Sequence, residues 1–397
     1  MPLAVYLLGL AVFALGTSEF MLAGLLPAMA ADLHVSIPTA GLLISAFAVG
    51  MVVGAPTLAL ATLRVPRRLA LTAFLAVFVV AHVVGASVSV FGALLGTRMV
   101  AALAAAGFTG VATVTAMSLV PASKRGRATA IVVGGLTVAN VVGVPAGTAL
   151  GQHAGWRAAF WAVAVLAAVA AVGVFLALPK QHSTATTASR AVHEMRALGN
   201  PRLWATYATI ALASGSVIVT FGYLGTLLER TTHLSADAVP LILGLFGVGA
   251  LIGITIGGRV ADSRPRATVL VGGAGLVVAS ILLALTAAHP VAVTVLVFML
   301  GLFGFVVTPS LNVRAYALAG AAPTLAGGTT VAAYNVGNTA APWLGGTAIN
   351  AGFAYASVAW IGAALGIGAI VIMALSSRER PTTDPAATPA PVATELV

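Results

Sequence analysis

Apolar residues occupy the chain in long uninterrupted runs, and short polar stretches separate these runs. Because a helix rises about 1.5 Å per residue, roughly 20 apolar residues cross the ~30 Å hydrocarbon core of a bilayer. The runs are apolar on every side, unlike the alternating strands of a membrane barrel, and only helices satisfy their own backbone in lipid. The pattern predicts an all-α integral membrane protein with twelve transmembrane helices. We place them at 4-29, 39-63, 69-88, 91-119, 128-151, 156-178, 203-228, 239-258, 267-288, 291-317, 326-349 and 354-376.

The composition excludes a soluble protein, because 60% of the 397 residues are hydrophobic and only 7% are charged. A soluble domain carries about 25% charged residues. With no cysteine and seven scattered histidines, the chain lacks clustered metal ligands, so we expect no metal and no cofactor. Neither lysine follows a glycine, which excludes the phosphate-binding loop of ATPases. The first run is too long for a cleaved signal peptide, and we expect it to remain as the first helix.

The net charge of +10 reflects membrane topology rather than nucleic-acid binding. Sixteen of the 19 basic residues fall in alternate gaps between runs. Such a bias marks the cytoplasmic side, so we expect both termini in the cytoplasm. These sixteen are Arg64, Arg67, Arg68, Lys124, Arg125, Arg127, Lys180, Arg190, Arg196, Arg202, Arg259, Arg264, Arg266, Arg314, Arg378 and Arg380.

The two halves of the chain repeat one another. The stretch GMVVGAPTLALATLRVPRR (50-68) precedes GALIGITIGGRVADSRPRA (249-267) by 199 residues, which aligns Gly50 and Gly54 with Gly249 and Gly253. Such a repeat predicts two six-helix bundles with a substrate path between them. We expect bundles at 1-178 and 203-376, a cytoplasmic linker at 179-202 and a disordered tail at 377-397.

Glu19 is the one acidic residue that lies deep within a predicted helix, and Arg98 is the one deep cation. A buried carboxylate costs several kcal/mol unless it is paired, protonated or facing a wet cavity. Counting residues places both side chains about 20 Å from the cytoplasmic face. Glu19 and Arg98 are therefore the candidate proton-coupling residues, which could pair directly or face one cavity. The alternative for Glu19 is a static charge paired with an arginine.

Other polar or small residues at mid-depth are candidates for the substrate path. The candidate substrate-binding residues are Asn140, Asn335, Asn338, Ser214 and Ser216. Amides and hydroxyls can instead join helices to each other or bond their own backbone. Candidate gating residues are Gly143, Pro145, Gly147 and Gly151 in the fifth helix, with Arg67, Arg68, Asp262 and Arg266 in the loops. The alternative for the glycine stripe is plain helix packing.

Three sequence motifs connect the chain with a known family. The loop after the eighth run reads GRVADSRP, whereas its first-half copy, ATLRVPRRLAL, has Leu63 where the acid stands. The fourth run contributes Arg98, and the fifth contains GLTVANVVGVPAGTALG (135-151). These motifs resemble the loop 2-3, helix 4 and helix 5 signatures of the major facilitator superfamily, in its twelve-helix drug:proton antiporter branch. The resemblance covers nearly all of residues 1-376.

Four further stretches narrow the resemblance to actinobacterial chloramphenicol-resistance exporters. It implies a non-enzymatic exporter of an amphiphilic drug in exchange for protons, with Glu19 as the coupling acid, working as a monomer in a bacterial plasma membrane. The expected partners are the drug, protons and the lipid bilayer. The alternatives are a transporter of sugars or other metabolites and, more remotely, a membrane-embedded enzyme or receptor. The stretches are GTSEFMLAGLLPAMAADL (16-33), TAGLLISAFAVGMVVGAP (39-56), VVGVPAGTALG (141-151) and GWRAAFW (155-161).

Overall fold

The protein is built from helices, as the hydrophobic runs predict. A computed structural model describes residues 1–62, 65–179, 199–261, 263–319 and 323–376. Sixteen α-helices follow one another in these ranges. They are α1 Leu3–Phe20, α2 Leu22–Asp32, α3 Ile37–Ala61, α4 Arg67–Ser87, α5 Phe91–Ser118, α6 Arg125–Val138, α7 Val144–Ala154, α8 Trp156–Ala177, α9 Pro201–Gly222, α10 Leu224–Arg230, α11 Ala238–Val260, α12 Pro265–Leu285, α13 Pro290–Val306, α14 Thr308–Ala319, α15 Pro323–Asn350 and α16 Ser357–Ser376.

Four of the predicted transmembrane runs are interrupted rather than continuous. The first breaks at Met21, between α1 and α2, and the seventh breaks at Tyr223, between α9 and α10. A π-helical turn, Ala139–Gly143, separates α6 from α7 in the fifth run. The tenth run breaks at Val307, between α13 and α14. Pro145 and Pro309 follow two of the interruptions closely, and proline removes the backbone donor that would continue the ladder. The sequence predicts none of the breaks at Met21, Tyr223 and Val307.

Eleven helical segments among the described residues are long and apolar enough to cross a bilayer. The remaining predicted crossing, 326–349, coincides with α15, which has 28 residues. Its glycines, threonines and asparagines make it less apolar than the others. The all-helical membrane fold is therefore confirmed. The count of twelve crossings remains a prediction, because it depends on whether α15 also crosses the bilayer.

The glycines of the sequence repeat make equivalent helix contacts in the two halves. An added Cβ at Gly50 would lie 2.7 Å from the Met99 carbonyl oxygen of α5. At Gly249 it would meet the Phe298 carbonyl oxygen of α13, and residues 99 and 298 are again 199 positions apart. Small residues allow helix backbones to approach closely in membranes. The glycines thus seat α3 on α5 and α11 on α13.

Two of the hydrophobic cores differ in which halves of the chain contribute to them. One core contains only residues between Ala4 and Leu178, whereas another joins residues of both halves. The second core holds the halves together through α2, α3, α9, α10 and α11. Most of the predicted linker, 179-202, lies outside the described residues, as does the tail 377-397, so these boundaries remain predictions.

Helix ends meet on two sides of the molecule. The basic side carries the arginine-rich helix ends, where Arg67 Nη1 donates to Ser118 Oγ at 2.9 Å. The other side, called here the opposite side, carries the ends of α2 and α7 and the starts of α8 and α11. There the π-helical turn and α7 pack against α11, whereas α6, nearer the basic side, touches α11 over only a few residues. The two halves therefore close on each other towards the opposite side.

Candidate functional site

Glu19 lies at the end of α1 and faces a small cavity between the two halves. The cavity measures about 10 Å³, which is room for about one water molecule. Within the described ranges, the Glu19 carboxylate has no hydrogen bond and no ion pair. A fixed pairing with arginine is therefore not what the structure contains. The lining consists of Glu19, Phe20, Ala23, Ile44, Phe47, Ala48, Ile218, Phe221, Gly222 and Asn338.

Arg98 is fully buried behind this cavity and is bound to the residue beside Glu19. Its Nη1 donates to Ser18 Oγ at 2.7 Å and its Nη2 donates to the Ser18 carbonyl oxygen at 3.0 Å. The guanidinium also lies over the Phe47 ring, 4.4 Å from the centroid. The two deep charges predicted from the sequence are thus neighbours, but Ser18 rather than Glu19 accepts the hydrogen bonds of the arginine.

The walls of the cavity are mostly apolar and aromatic. Phe20 of α1 meets Phe221 of α9 edge to face, with centroids 6.2 Å apart. The polar contribution from the second half is Asn338 of α15, whose Oδ1 accepts a hydrogen bond from Ser214 Oγ at 2.6 Å. Apolar walls with a few fixed polar groups are typical of small-molecule sites. Ser214 thus contacts Asn338 but is not itself part of the cavity lining.

The other candidate substrate-binding residues do not line this cavity. Asn140 Nδ2 donates to Leu136 of its own helix at 3.1 Å, and Asn335 Nδ2 likewise donates to Val331 at 3.0 Å. Ser216 donates to the Gly362 carbonyl at 2.6 Å, a contact that joins α9 to α16. The two asparagines therefore bond their own helices and only Ser216 joins two helices, so the contact of all three with substrate remains a prediction.

The glycine stripe of the fifth crossing packs against the helix that carries Glu19. An added Cβ at Gly143 would overlap the Thr17 hydroxyl, and one at Gly147 would lie 3.3 Å from Met21 Cβ. At Gly151 it would lie 2.5 Å from Leu25 Cδ2. The stripe therefore forms a seam with α1 and α2 inside the first half, on either side of the break at Met21.

A different face of the π-helical turn meets the second half. An added Cβ at Gly247 of α11 would collide with the Asn140 carbonyl group, lying 2.6 Å from its carbon and 2.8 Å from Val141 Cα. An added Cβ at Gly244 would lie 3.2 Å from Pro145 Cγ. This close approach between the halves was missed, although the pair of glycines three residues apart is visible in the sequence.

Tyr223 closes the opposite side of the molecule. Its side chain is fully buried, and its hydroxyl donates to the Pro342 carbonyl oxygen at 2.7 Å. Added Cβ atoms at Gly41 of α3 and Gly345 of α15 would each lie 2.9 Å from its ring. Glycine leaves the space that the ring fills, so Tyr223 is wedged between the two halves. Sequence reasoning missed it, because a tyrosine near a helix end is unremarkable by pattern alone.

The charged gating candidates lie on the basic side. Arg68 stacks on the Phe175 ring, 4.0 Å from the centroid, and Arg67 reaches Ser118 as described above. Arg266 is exposed at the start of α12. Asp262 falls outside the described residues, so its predicted role as a latch remains a prediction.

An ion pair on the opposite side anchors the end of α2. Arg157 Nη1 donates to Asp32 Oδ2 at 2.5 Å, and Trp156 Nε1 donates to the same oxygen at 3.1 Å. The hydrogen bond from Arg157 lowers the pKa of the Asp32 carboxyl below its usual value of 3.8. Arg157 also donates to the Val88 carbonyl at 3.3 Å. The GWR sequence thus anchors the opposite-side end of the crossing that carries Glu19.

Comparison with known proteins gives concordant matches. The family model described as Major Facilitator Superfamily matches residues 8–330 and 224–396. A chloramphenicol resistance protein of Streptomyces lividans is 45% identical over 351 residues, covering 88% of this chain and 90% of that protein. The inner membrane transport protein YdhP of Escherichia coli is 35% identical, covering 95% and 96%.

Among solved structures, a bacterial homologue of the human lysosomal transporter Spinster, in an inward-facing and unoccupied conformation, aligns with a TM-score of 0.74. The alignment covers 94% of each chain at 17% sequence identity. At this identity the likeness concerns the fold alone, and it agrees with the helical architecture described above.

Proposed function

Because the chain belongs to the Major Facilitator Superfamily, and so is a multi-pass membrane transporter, we propose that it exports chloramphenicol-like amphiphilic drugs in exchange for protons. The observation that carries the proposal is Glu19, a carboxylate that is unpaired in the described structure and opens into the cavity between the halves. The substrate class rests on the relative from Streptomyces lividans, which is named for chloramphenicol resistance. We assign the chain to a bacterial plasma membrane because the relatives named above are bacterial. We place both termini in the cytoplasm on the bias of the basic residues.

The proposed cycle alternates the opening of the cavity between the two sides. With the basic side in the cytoplasm, closure by Tyr223 and Gly247 shuts the cavity from the outside. The drug enters from the cytoplasmic leaflet or cytosol, widens the cavity between Phe20 and Phe221, and favours loss of the Glu19 proton. The halves then rock about the cavity and release the drug outside, where Glu19 is protonated again. The drug leaves unaltered, so the cycle contains no enzymatic step, and one chain suffices for it.

The proton gradient supplies enough free energy for useful export. One proton that moves down about 100 mV provides about 2.3 kcal/mol, which supports roughly fiftyfold accumulation of a neutral drug. A carboxyl that is protonated on one side and deprotonated on the other is the element needed for this coupling. Glu19 has that freedom, because no described residue neutralises it by a fixed contact.

The test compares Glu19→Gln with Glu229→Gln in inside-out vesicles. Glutamine mimics the neutral acid and cannot release a proton, so proton-driven accumulation of chloramphenicol should fall from tens-fold to about one. Exchange of labelled for unlabelled drug without a gradient should persist. Glu229 lies at the end of α10, away from the cavity lining, and the same change there should leave accumulation intact. Full accumulation by Glu19→Gln would reject the coupling role of Glu19. Proton movement that is driven by a sugar rather than by the drug would instead favour a metabolite transporter.

A further inference from the structure

His82 of α4 is a buried side chain that has no role in the export cycle proposed above. It is 1% exposed and lies between two aromatic rings, 4.1 Å from the Phe78 centroid and 5.6 Å from that of Phe160. Its Nδ1 lies 2.9 Å from the Phe78 carbonyl oxygen of its own helix. Its Nε2 lies 2.6 Å from Ser18 Oγ of α1. The imidazole therefore joins two helices.

The partners of His82 fix the direction of its hydrogen bonds. A carbonyl oxygen only accepts, so Nδ1 carries the hydrogen, and in a neutral ring Nε2 is then the acceptor. The Ser18 hydroxyl has one hydrogen, and it already accepts from Arg98 Nη1 at 2.7 Å. It must therefore donate to Nε2. The result is one directed chain in which Arg98 donates to Ser18, Ser18 donates to His82, and His82 donates to Phe78.

This chain determines where the Arg98 charge sits relative to Glu19. Ser18 and Glu19 are consecutive residues of α1, and side chains at neighbouring positions of a helix point about 100° apart. An arginine bound to both the hydroxyl and the carbonyl of Ser18 is therefore turned away from the Glu19 carboxylate. The Phe47 ring covers its guanidinium. Arg98 and Glu19 still attract each other electrostatically, so the hydrogen bonds hold them apart against that attraction.

We propose that His82 is a positioning residue for proton coupling: it orients the Ser18 hydroxyl and thereby keeps Arg98 from pairing with Glu19. This inference rests on the proposed role of Glu19. The charged or titratable groups that face Glu19 are few. Arg98 approaches from α5 and His82 acts from α4 through Ser18, while α15 contributes the uncharged Asn338. The cavity residues of α3 and α9 are apolar or glycine: Ile44, Phe47, Ala48, Ile218, Phe221 and Gly222.

Removing the acceptor on His82 should loosen Arg98, which keeps only the bond from its Nη2 to the Ser18 carbonyl oxygen. The Ser18 hydroxyl then loses its orientation, and Arg98 loses its anchor at Oγ. The nearest acid is Glu19, and pairing with a cation favours the charged carboxylate. Protons then load onto the transporter only at lower pH, so the pH dependence of transport shifts towards acid.

Three variants test the chain of hydrogen bonds. His82→Phe keeps an aromatic ring between Phe78 and Phe160 but offers no acceptor. His82→Gln presents an oxygen near the position of Nε2 and serves as the conservative rescue. Ser18→Ala removes the link while it retains His82. The readout is the initial rate of proton-driven chloramphenicol uptake in proteoliposomes, measured across pH with the gradient held constant.

We expect His82→Phe and Ser18→Ala to shift the midpoint of the pH profile by about one unit towards acid, and the double variant to shift it no further. His82→Gln should return most of the shift. A midpoint equal to that of the wild type in either single variant, even with a reduced rate, overturns the inference. If His82→Phe does not fold, the pH midpoint of Ser18→Ala alone tests the inference. Activity of Glu19→Gln equal to the wild type would instead reject the proposed function, which distinguishes the two failures.

Discussion

Gly247 offers a direct test of how the two halves close. The substitution Gly247→Ala adds one methyl group at the point where α11 meets the π-helical turn of the first half. The added carbon would lie 2.6 Å from the Asn140 carbonyl carbon and 2.8 Å from Val141 Cα. Carbon atoms in contact normally lie about 3.5–4.0 Å apart. Because the collision is with backbone, no side-chain rotation relieves it, and the halves must separate by about 1 Å.

The size of the effect follows from the cost of overpacking. An extra methyl group in a packed site costs about 1–3 kcal/mol. The clash exists only while the halves are closed on the opposite side, so the cost falls on that state alone. A differential free energy of 1–3 kcal/mol corresponds to a shift of about 5–150-fold in a two-state equilibrium. Gly247→Ala should therefore favour opening on the opposite side by at least about fivefold.

The chain has no cysteine, so a single introduced thiol reports accessibility without background. Ala48→Cys places this thiol in the cavity lining, and a membrane-impermeant maleimide measures its exposure in vesicles of both orientations. The matched control is Gly258→Ala in the same helix, where an added Cβ meets nothing within 4 Å. Both variants gain the same helix propensity, about 1 kcal/mol. Equal labelling rates from the opposite side in the two variants would show that the added methyl group does not hold the halves apart.

Three other contacts of the structure also lead to testable expectations. Gly147→Leu should lose proton-driven drug accumulation, because its side chain enters the seam beside the break in the first crossing. Gly134→Leu, with open space around its Cβ, should retain it. Equal accumulation by both variants rejects the seam. Tyr223→Phe removes a buried hydrogen bond of about 1 kcal/mol and should raise opposite-side thiol labelling about fivefold, so unchanged labelling would count against the wedge. Asp32→Asn should lower thermal stability in detergent at pH 7 by less than about 1 kcal/mol, since the pair with Arg157 is half exposed. The pKa of Asp32 is lowered in the folded protein. The contribution of its carboxylate to the free energy of unfolding is therefore present above pH 3.8, its usual pKa, and disappears as pH falls through the lower folded value. A stability difference between variant and wild type that persists in stronger acid contradicts this account.

The sequence determined the class of fold and the depth of the key residues. Apolar runs in lipid must be helical, because no water is available to the backbone, and the number of residues along a helix measures depth directly. Glu19 and Arg98 were therefore placed at one level from residue counts alone. The repeat likewise predicted equivalent helices, and the glycines at 50 and 249 make equivalent contacts.

The rotation of each helix about its own axis depends on tertiary packing and is not evident from the sequence. The crossings are apolar on nearly all sides, so their sequences do not show which face meets lipid and which meets protein. For this reason the bond of Arg98 to Ser18, the seam between Gly147 and Met21, and the hydrogen bond of His82 could not be read from spacing. These contacts join residues up to 126 positions apart, and the rotation that forms them is set by the packing of the neighbouring helices.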